Sequence, residues 1–308
     1  MNTTNFPTFV AAGEALTDMI RVDDTHWVSK VGGSTWNVAR VMASLGQDSA
    51  QGSAFAGSIS RDCFGQDLQR ASAEAGLDLR FLQQLDYSPL LAIVHSANPP
   101  QYFFVGDNAA DLHFNPAQLP SGWMKAVQWV HFGGISLARQ PLAGKLIALA
   151  RELKTHGVKI SYDPNFRVLM DQSYDATLRT MSELADVIKV SDEDLAGLFR
   201  TNDLDAAFDT LRSFNPAASI LYTRGADGAS FYHHDDIANE AAIKVNVVDS
   251  VGAGDAAMGG LIYSLLNMPE RSTAEHLHFA IASGAAACQY AGATPPTLTM
   301  VNLLYEAH

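Results

Sequence analysis

The sequence predicts an α/β chain: a three-layer αβα sandwich around a mostly parallel, doubly wound sheet, carrying a small β lid. Three observations predict it. Short apolar and β-branched runs alternate with segments of helical period along most of the 308 residues, which is the grammar of βαβ units. One hairpin signature interrupts that grammar and reads as a flap beside the main sheet. An apolar fraction of 47% is enough for one large core, so residues 1–308 are read as one domain.

Taken in order, residues 9–20 open as a buried strand into which polar residues enter on alternate positions, so that Asp18 projects near its end. Gly32-Gly33 then leads into an amphipathic helix, with Ser34 or Thr35 as cap and Gly46 as stop. Residues 50–56 read as a strand, and 63–75 as a helix closed by Gly76. Residues 90–95 and 101–105 flank Asn98-Pro99-Pro100 as a hairpin; with residues 18–30 they make up the lid. Strands follow near 126–132, 158–162, 187–190 and 218–223, with helices such as 141–155 between them.

Parallel connections place ligands at the carboxyl ends of such strands. Gly133-Gly134, Asp163 to Arg167, Lys189 to Asp194 and Thr223 to Gly228 all fall there. A β-branched run at 243–248 leads into Asp249-Ser250-Val251-Gly252-Ala253-Gly254-Asp255 and an Ala/Met/Leu-rich helix. Residues 274–290 form a small-residue helix, and 299–307 a last amphipathic one. Between Ala282 and Ala287 almost nothing exceeds serine in size, which serves either close helix contact or a flat shelf for a planar ring.

Composition excludes several classes. With 33 acidic and 20 basic residues the net charge is −13, against a nucleic-acid or anionic-membrane partner. Cys63 and Cys288 have neither disulfide-framework nor zinc spacing, and no signal-peptide pattern or long apolar run occurs, so a cytoplasmic protein is expected. No Gly-x-x-x-x-Gly-Lys-Ser/Thr occurs, and no Gly-x-Gly-x-x-Gly follows the first strand, against a P-loop enzyme or dinucleotide oxidoreductase. Gly134 to Ala138 lacks the second glycine of a nucleophile elbow, and His233-His234 reads as a hairpin tip.

Gly252, Ala253 and Gly254 have the form of an anion hole, in which N–H groups at a loop-to-helix junction point outward and the helix adds partial positive charge. Asp255 in the first helical turn is either a capping carboxylate or a base that takes a hydroxyl proton beside a migrating phosphoryl group. Local spacing leaves both open.

Asp249 to Asp255, with Gly32-Gly33 and Asn37 upstream, resembles the ribokinase-like (PfkB) family of carbohydrate kinases. Gly13-Glu14-Ala15-Leu16-Thr17-Asp18, Asp163 to Arg167, Lys189-Val190-Ser191 and Thr223 to Gly228 fall in the family's order, and the wording is most similar to fructokinases. The resemblance implies a ribokinase-like fold and an ATP-dependent kinase that phosphorylates a primary hydroxyl of a sugar, fructose first. It makes Asp255 the base, Gly252, Ala253 and Gly254 the hole for phosphoryl charge, and Arg167 a contact to substrate or transferred phosphate. Asp18, Gly32, Gly33 and Asn37 match sugar-binding positions; Lys189, Thr223, Gly225, Gly228 and Ile281 match nucleotide positions. Mg2+ would ride largely on phosphates and water, and a monovalent cation such as K+ would lie by Asp249, Val251, Ala287 and Gly292. A homodimer through the exposed lid face is likewise implied.

Three departures stand out. Where the family has Asn-x-x-Glu, this chain has Ser191-Asp192-Glu193-Asp194, so that Asp194 or Glu193 would orient magnesium-bound water. Ile281 replaces the Asn or His of several relatives. The flap segment Phe103 to Asn108 has no arginine, leaving Asp107 and Asn108 to bond neutral hydroxyls. Rival readings are a nucleoside or 2-keto-3-deoxygluconate kinase of the same family, and a non-catalytic sugar or nucleotide sensor.

Overall fold

A strand whose every residue is buried must be covered on both faces, and β1 (Phe9–Ala12) is such a strand. The computed structural model describes residues 6–47, 52–97 and 100–307. After β1 come β2 (Leu16–Arg21), β3 (Trp27–Gly32), α1 (Ser34–Leu45), β4 (Ser53–Ser60), α2 (Cys63–Glu74), β5 (Leu82–Leu85), β6 (Leu91–Ala97) and β7 (Pro100–Val105). The chain continues through β8 (Trp129–Gly133), α3 (Leu142–Thr155), β9 (Lys159–Asp163), α4 (Asp175–Leu184), β10 (Val187–Ser191), α5 (Asp192–Phe199), α6 (Leu204–Phe214) and β11 (Ser219–Thr223). It ends with β12 (Ala229–His233), β13 (Asp236–Glu240), α7 (Ala253–Asn267), α8 (Thr273–Cys288) and α9 (Leu298–Ala307).

The large sheet has the order β13-β12-β11-β10-β9-β8-β1-β4-β5, parallel except for the β11-β12 and β12-β13 pairs. Alternate residues of β1 feed two cores. Val10 and Ala12 join the apolar side chains of α3, α4, α5 and α6, while Phe9 and Ala11 join those of α1, α2, α7, α8 and α9, giving the three layers. The chain leaves β1 for β4 on one side and later returns to β8 on the other. That reversal makes the carboxyl ends of β1 and β8 the topological switch point.

A second sheet, β3-β2-β6-β7, is built from two hairpins joined through the parallel pair β2-β6. Here the single strand expected over 9–20 is corrected to two, with β1 in the large sheet and β2 in the small one. The apolar run hides the break because burial continues through Gly13, Glu14 and Ala15. The run at 243–248 forms no strand: Val247 and Val248 are exposed, and the N–H groups of Val248 and Asp249 reach back to the Cys288 carbonyl. β-Branching raised the propensity without a partner strand to satisfy it.

Polar β5 was not expected from sequence, whereas His234, at φ 53°, turns the β12-β13 hairpin where a tip was expected. Ala50, Gln51, Asn98 and Pro99 lie outside the described residues. Among the described residues no helix is long and apolar enough to cross a membrane.

Candidate active site

The first turn of α7 is a helix start that no side chain caps. Gly252 holds the N-cap place in the left-handed region, φ 81° and ψ 0°, where a Cβ would also meet Ala293 Cβ at 2.7 Å. The Ala253 N–H donates to the Ser250 carbonyl at 3.2 Å, whereas those of Gly254 and Asp255 have no acceptor among the described residues. With the helix dipole behind them, these donors favour an anion.

Asp255 does not cap its own helix. Ser34 Oγ donates to its Oδ1 at 2.7 Å and Asn37 Nδ2 to its Oδ2 at 2.8 Å. Both donors stand one turn apart on α1, which therefore aims the carboxylate. Burial pushes the Asp255 pKa above the usual carboxylate range, against those two bonds and the charges of Lys189 and Arg167.

Lys189, from β10, is buried, with its Nζ 3.1 Å from Asp163 Oδ2 and 3.8 Å from Asp194 Oδ2. Burial opposes the ammonium, but Asp163, Asp194 and Asp255 outweigh it and hold the pKa above the usual lysine range. Lys189 also abuts the α7 start, since a Cβ on Gly254 would lie 3.2 Å from its Nζ. Both oxygens of Asp194 are engaged: Phe166 N–H donates to Oδ1 at 2.7 Å, and Ser191 N–H and Oγ donate to Oδ2 at 2.7 and 2.8 Å. This capping box leaves Glu193, not Asp194, at the cavity wall.

Arg167 is held through Nη1, which donates to Asn165 O at 3.1 Å, Asn165 Oδ1 at 2.7 Å and Phe166 O at 2.7 Å. Its charge pulls against the burial that lifts Asp18 to about 6. These groups surround a cavity of about 480 Å³, a volume that suits a metabolite. Asp18, Gly33, Asn37, Arg167, Lys189, Gly252, Gly254, Asp255 and Val251 line it, and Leu16, Ala92, Val94, Tyr102 and Phe104 of the small sheet roof it.

Other expected residues sit beside the cavity rather than in its wall. Gly32 pairs with Leu16 behind Gly33, and Ala253 stands in the first turn of α7. Thr223 is level with Ser191 at the sheet edge, followed by Gly225 and Gly228 in a tight turn. Ile281 is half-buried on α8. Asp249 accepts from Val251 N–H at 3.0 Å and Gly292 N–H at 2.8 Å, and the Ala287 carbonyl accepts from Tyr290 N–H. Asp107 and Asn108 do not line the cavity, and Asn108 Oδ1 pairs with His113 Nε2 at 2.7 Å; the flap side chains in the cavity wall are Tyr102 and Phe104. The small residues 282–287 are buried against α7, with Gly284 3.2 Å (from the place of its absent Cβ) from Ala253 O, so close helix contact accounts for them.

Sequence reasoning gave no role to Glu14, and it weighed Ser34 only as a cap. The Ser34/Asn37 spacing was the available signal for the second. For the first it was a carboxylate embedded in an apolar run.

Comparison with known proteins decides among the possible users of such a site. Residues 8–300 match the pfkB family of carbohydrate kinases. The chain belongs to that family. A fructokinase of Escherichia coli is 29% identical over 91% of this chain and 93% of its own. Among solved structures, a fructokinase from Xylella fastidiosa with bound ATP superposes with TM-score 0.87 at 27% identity, covering 97% of this chain and 98% of that one. An aminoimidazole riboside kinase from Salmonella enterica, complexed with aminoimidazole riboside and an ATP analogue, gives 0.82 at 26% identity over 96% and 99%. This pfkB-family kinase is a sugar phosphotransferase with the fold of sugar kinases.

Proposed function

We propose that this kinase transfers the γ-phosphoryl group of ATP to a primary hydroxyl of a neutral sugar, with fructose as first acceptor. One observation carries the reading: a single cavity is lined by the Asp255 carboxylate, by the start of α7 with its unpaired N–H groups, and by Asp18 and Asn37. Asp255 Oδ takes the hydroxyl proton as the sugar oxygen bonds to the γ-phosphorus and the bond to the β-phosphate oxygen breaks. Gly252, Ala253 and Gly254 frame the hole, the free N–H groups hold the equatorial oxygens, and Arg167 and Lys189 balance their charge.

Asp18, Gly32, Gly33 and Asn37 hold the sugar, and Thr223, Gly225, Gly228 and Ile281 the nucleotide. The donor set fits magnesium carried on phosphates and water, with Glu193 in place of Asp194 as the carboxylate facing that water. Magnesium neutralises phosphate charge when bound. The loop that Asp249 ties to Val251 and Gly292, near the Ala287 carbonyl, suits a monovalent cation such as K+.

The small sheet acts as a lid within one catalytic unit spanning 1–308, excluding water from the reaction. Trp27, Phe103 and Val105 are exposed on its face away from the cavity, where a second copy would form a homodimer.

Four carboxyl groups among the described residues line the cavity, Glu14, Asp18, Glu193 and Asp255, and disfavour an acidic acceptor such as 2-keto-3-deoxygluconate. An acceptor panel of neutral sugars, acidic sugars and nucleosides with ATP and Mg2+ tests the reading. Fructose should give the highest kcat/KM; a nucleoside or acidic sugar exceeding every neutral sugar would overturn it, and no turnover with any acceptor would favour a sensor.

A further inference from the structure

A buried carboxyl group outside the mechanism stands at the switch point of the large sheet. Glu14 lies two residues beyond β1 and is 2% exposed, yet it belongs to the wall of the cavity that holds Asp18 and Asp255. Its Oε2 accepts the Ser136 N–H at 3.1 Å, and the Ser136 hydroxyl is turned away to donate to the Gly133 carbonyl at 2.7 Å. No donor among the described residues bonds Oε1.

The neighbourhood is arranged around this carboxyl. Gly134, at the end of β8 and left-handed at φ 63°, also lines the cavity; a Cβ there would overlap Glu14 Oε1. The β8 turn thus leaves room for the carboxyl and holds one of its oxygens, which is costly unless the other also finds a partner. Asp111 acts on Glu14 by charge alone and is itself paired with Arg139, so it supplies no bond.

We propose that Glu14 is a specificity-determining residue whose Oε1 accepts a hydroxyl of the acceptor, one remote from the hydroxyl that receives phosphate. The inference rests on the sugar-kinase reading. Asp18 and Asn37 hold the sugar from β2 and α1, and Glu14 adds a contact from the floor of the large sheet, opposite the lid. A site that bonds a substrate hydroxyl rejects the analogue lacking it far more strongly than an apolar wall would. Burial lifts Glu14 to about 7 against the hydrogen bond from the Ser136 N–H, so near neutrality the carboxyl both accepts and donates.

The test pairs residue and hydroxyl. kcat and KM are measured with fructose and its monodeoxy analogues for wild type, Glu14→Gln and Glu14→Ala, with unliganded thermal stability as a control. In wild type one deoxy position should cost about 10- to 100-fold in kcat/KM, carried by KM. In Glu14→Ala that penalty should fall to about twofold while other deoxy penalties stand, and Glu14→Gln, which keeps an acceptor, should restore part of it. A merely structural Glu14 would slow every acceptor equally and leave all deoxy penalties unchanged, which overturns this inference alone. Absence of turnover by wild type with every acceptor would overturn the kinase reading and this inference together.

Discussion

The two ends of the cavity are made from different materials. At the phosphoryl end the functional groups are backbone N–H donors at the α7 start and a lysine fixed between two carboxylates, all on elements anchored in the three-layer core. At the acceptor end the roof is the small sheet, where Leu16, Ala92, Val94, Tyr102 and Phe104 supply apolar surface around Asp18. The first end depends on geometry that almost any side chain would spoil. The second depends on shape, which many side-chain sets satisfy. On the proposed reading the phosphoryl end is held rigidly by the core, while the acceptor end combines a core-borne floor, Glu14 and Asn37, with an apolar roof carried by the small sheet.

The largest expected effect probes the rigid end. Asp255→Asn should lower kcat on the order of 10²-fold or more, while fructose and ATP affinities change by less than about threefold, because the amide keeps the shape and one acceptor for Ser34 or Asn37. Calorimetric binding beside steady-state kinetics checks it. Turnover matching wild type with both ligands still bound would remove the base from the phosphoryl end and leave Asp255 a positioning group.

The same division explains what was legible in the chain. Gly252, Gly254 and Asp255 could be read because a left-handed N-cap and an uncapped helix start need particular residues at fixed spacing. The mostly parallel sheet followed from βαβ grammar, and the β6-β7 hairpin of the small sheet from turn chemistry. The placing of Asp18 and Arg167 in one cavity was not legible, because it depends on how two sheets meet. Nor was the choice of Tyr102 and Phe104 over Phe103 and Val105 as the cavity-facing pair, since alternation defines two faces without saying which is inward. The break at Gly13 to Ala15 was hidden for a related reason: burial on both sides looks the same in either sheet.

A smaller effect should come from the adaptable end. Phe104→Ala removes a roof side chain and should raise KM for fructose about tenfold, with kcat and KM for ATP within about twofold of wild type. Initial rates with each substrate varied in turn separate these constants. Equal damage to ATP KM would mean that the two ends are coupled through lid closure, and the contrast between them would have to be redrawn.

The smallest effect is a pH dependence that divides along the same line. Burial lifts Asp18 to about 6 and Glu14 to about 7, and both stand at the acceptor end. As pH falls from 8 to 5.5 these carboxyls gain protons, so KM for fructose should rise several-fold, whereas Lys189, held above the usual lysine range, keeps its charge and KM for ATP should move less. Stability should run the other way. A carboxyl whose folded pKa exceeds its unfolded value of about 4 contributes stability that is fully present below that value and is lost as pH rises through the folded one. For Asp18, Glu14 and Asp111, the last also lifted to about 6 by burial, that loss spans about pH 4 to 7. The midpoint of thermal unfolding should thus climb by a few degrees on mild acidification while fructose affinity declines. Glu14→Gln should flatten the stability trend, because an amide has no proton to gain. If the trend keeps its full slope in that variant, the titration lies elsewhere and the acceptor end is not the pH-sensitive half of the site.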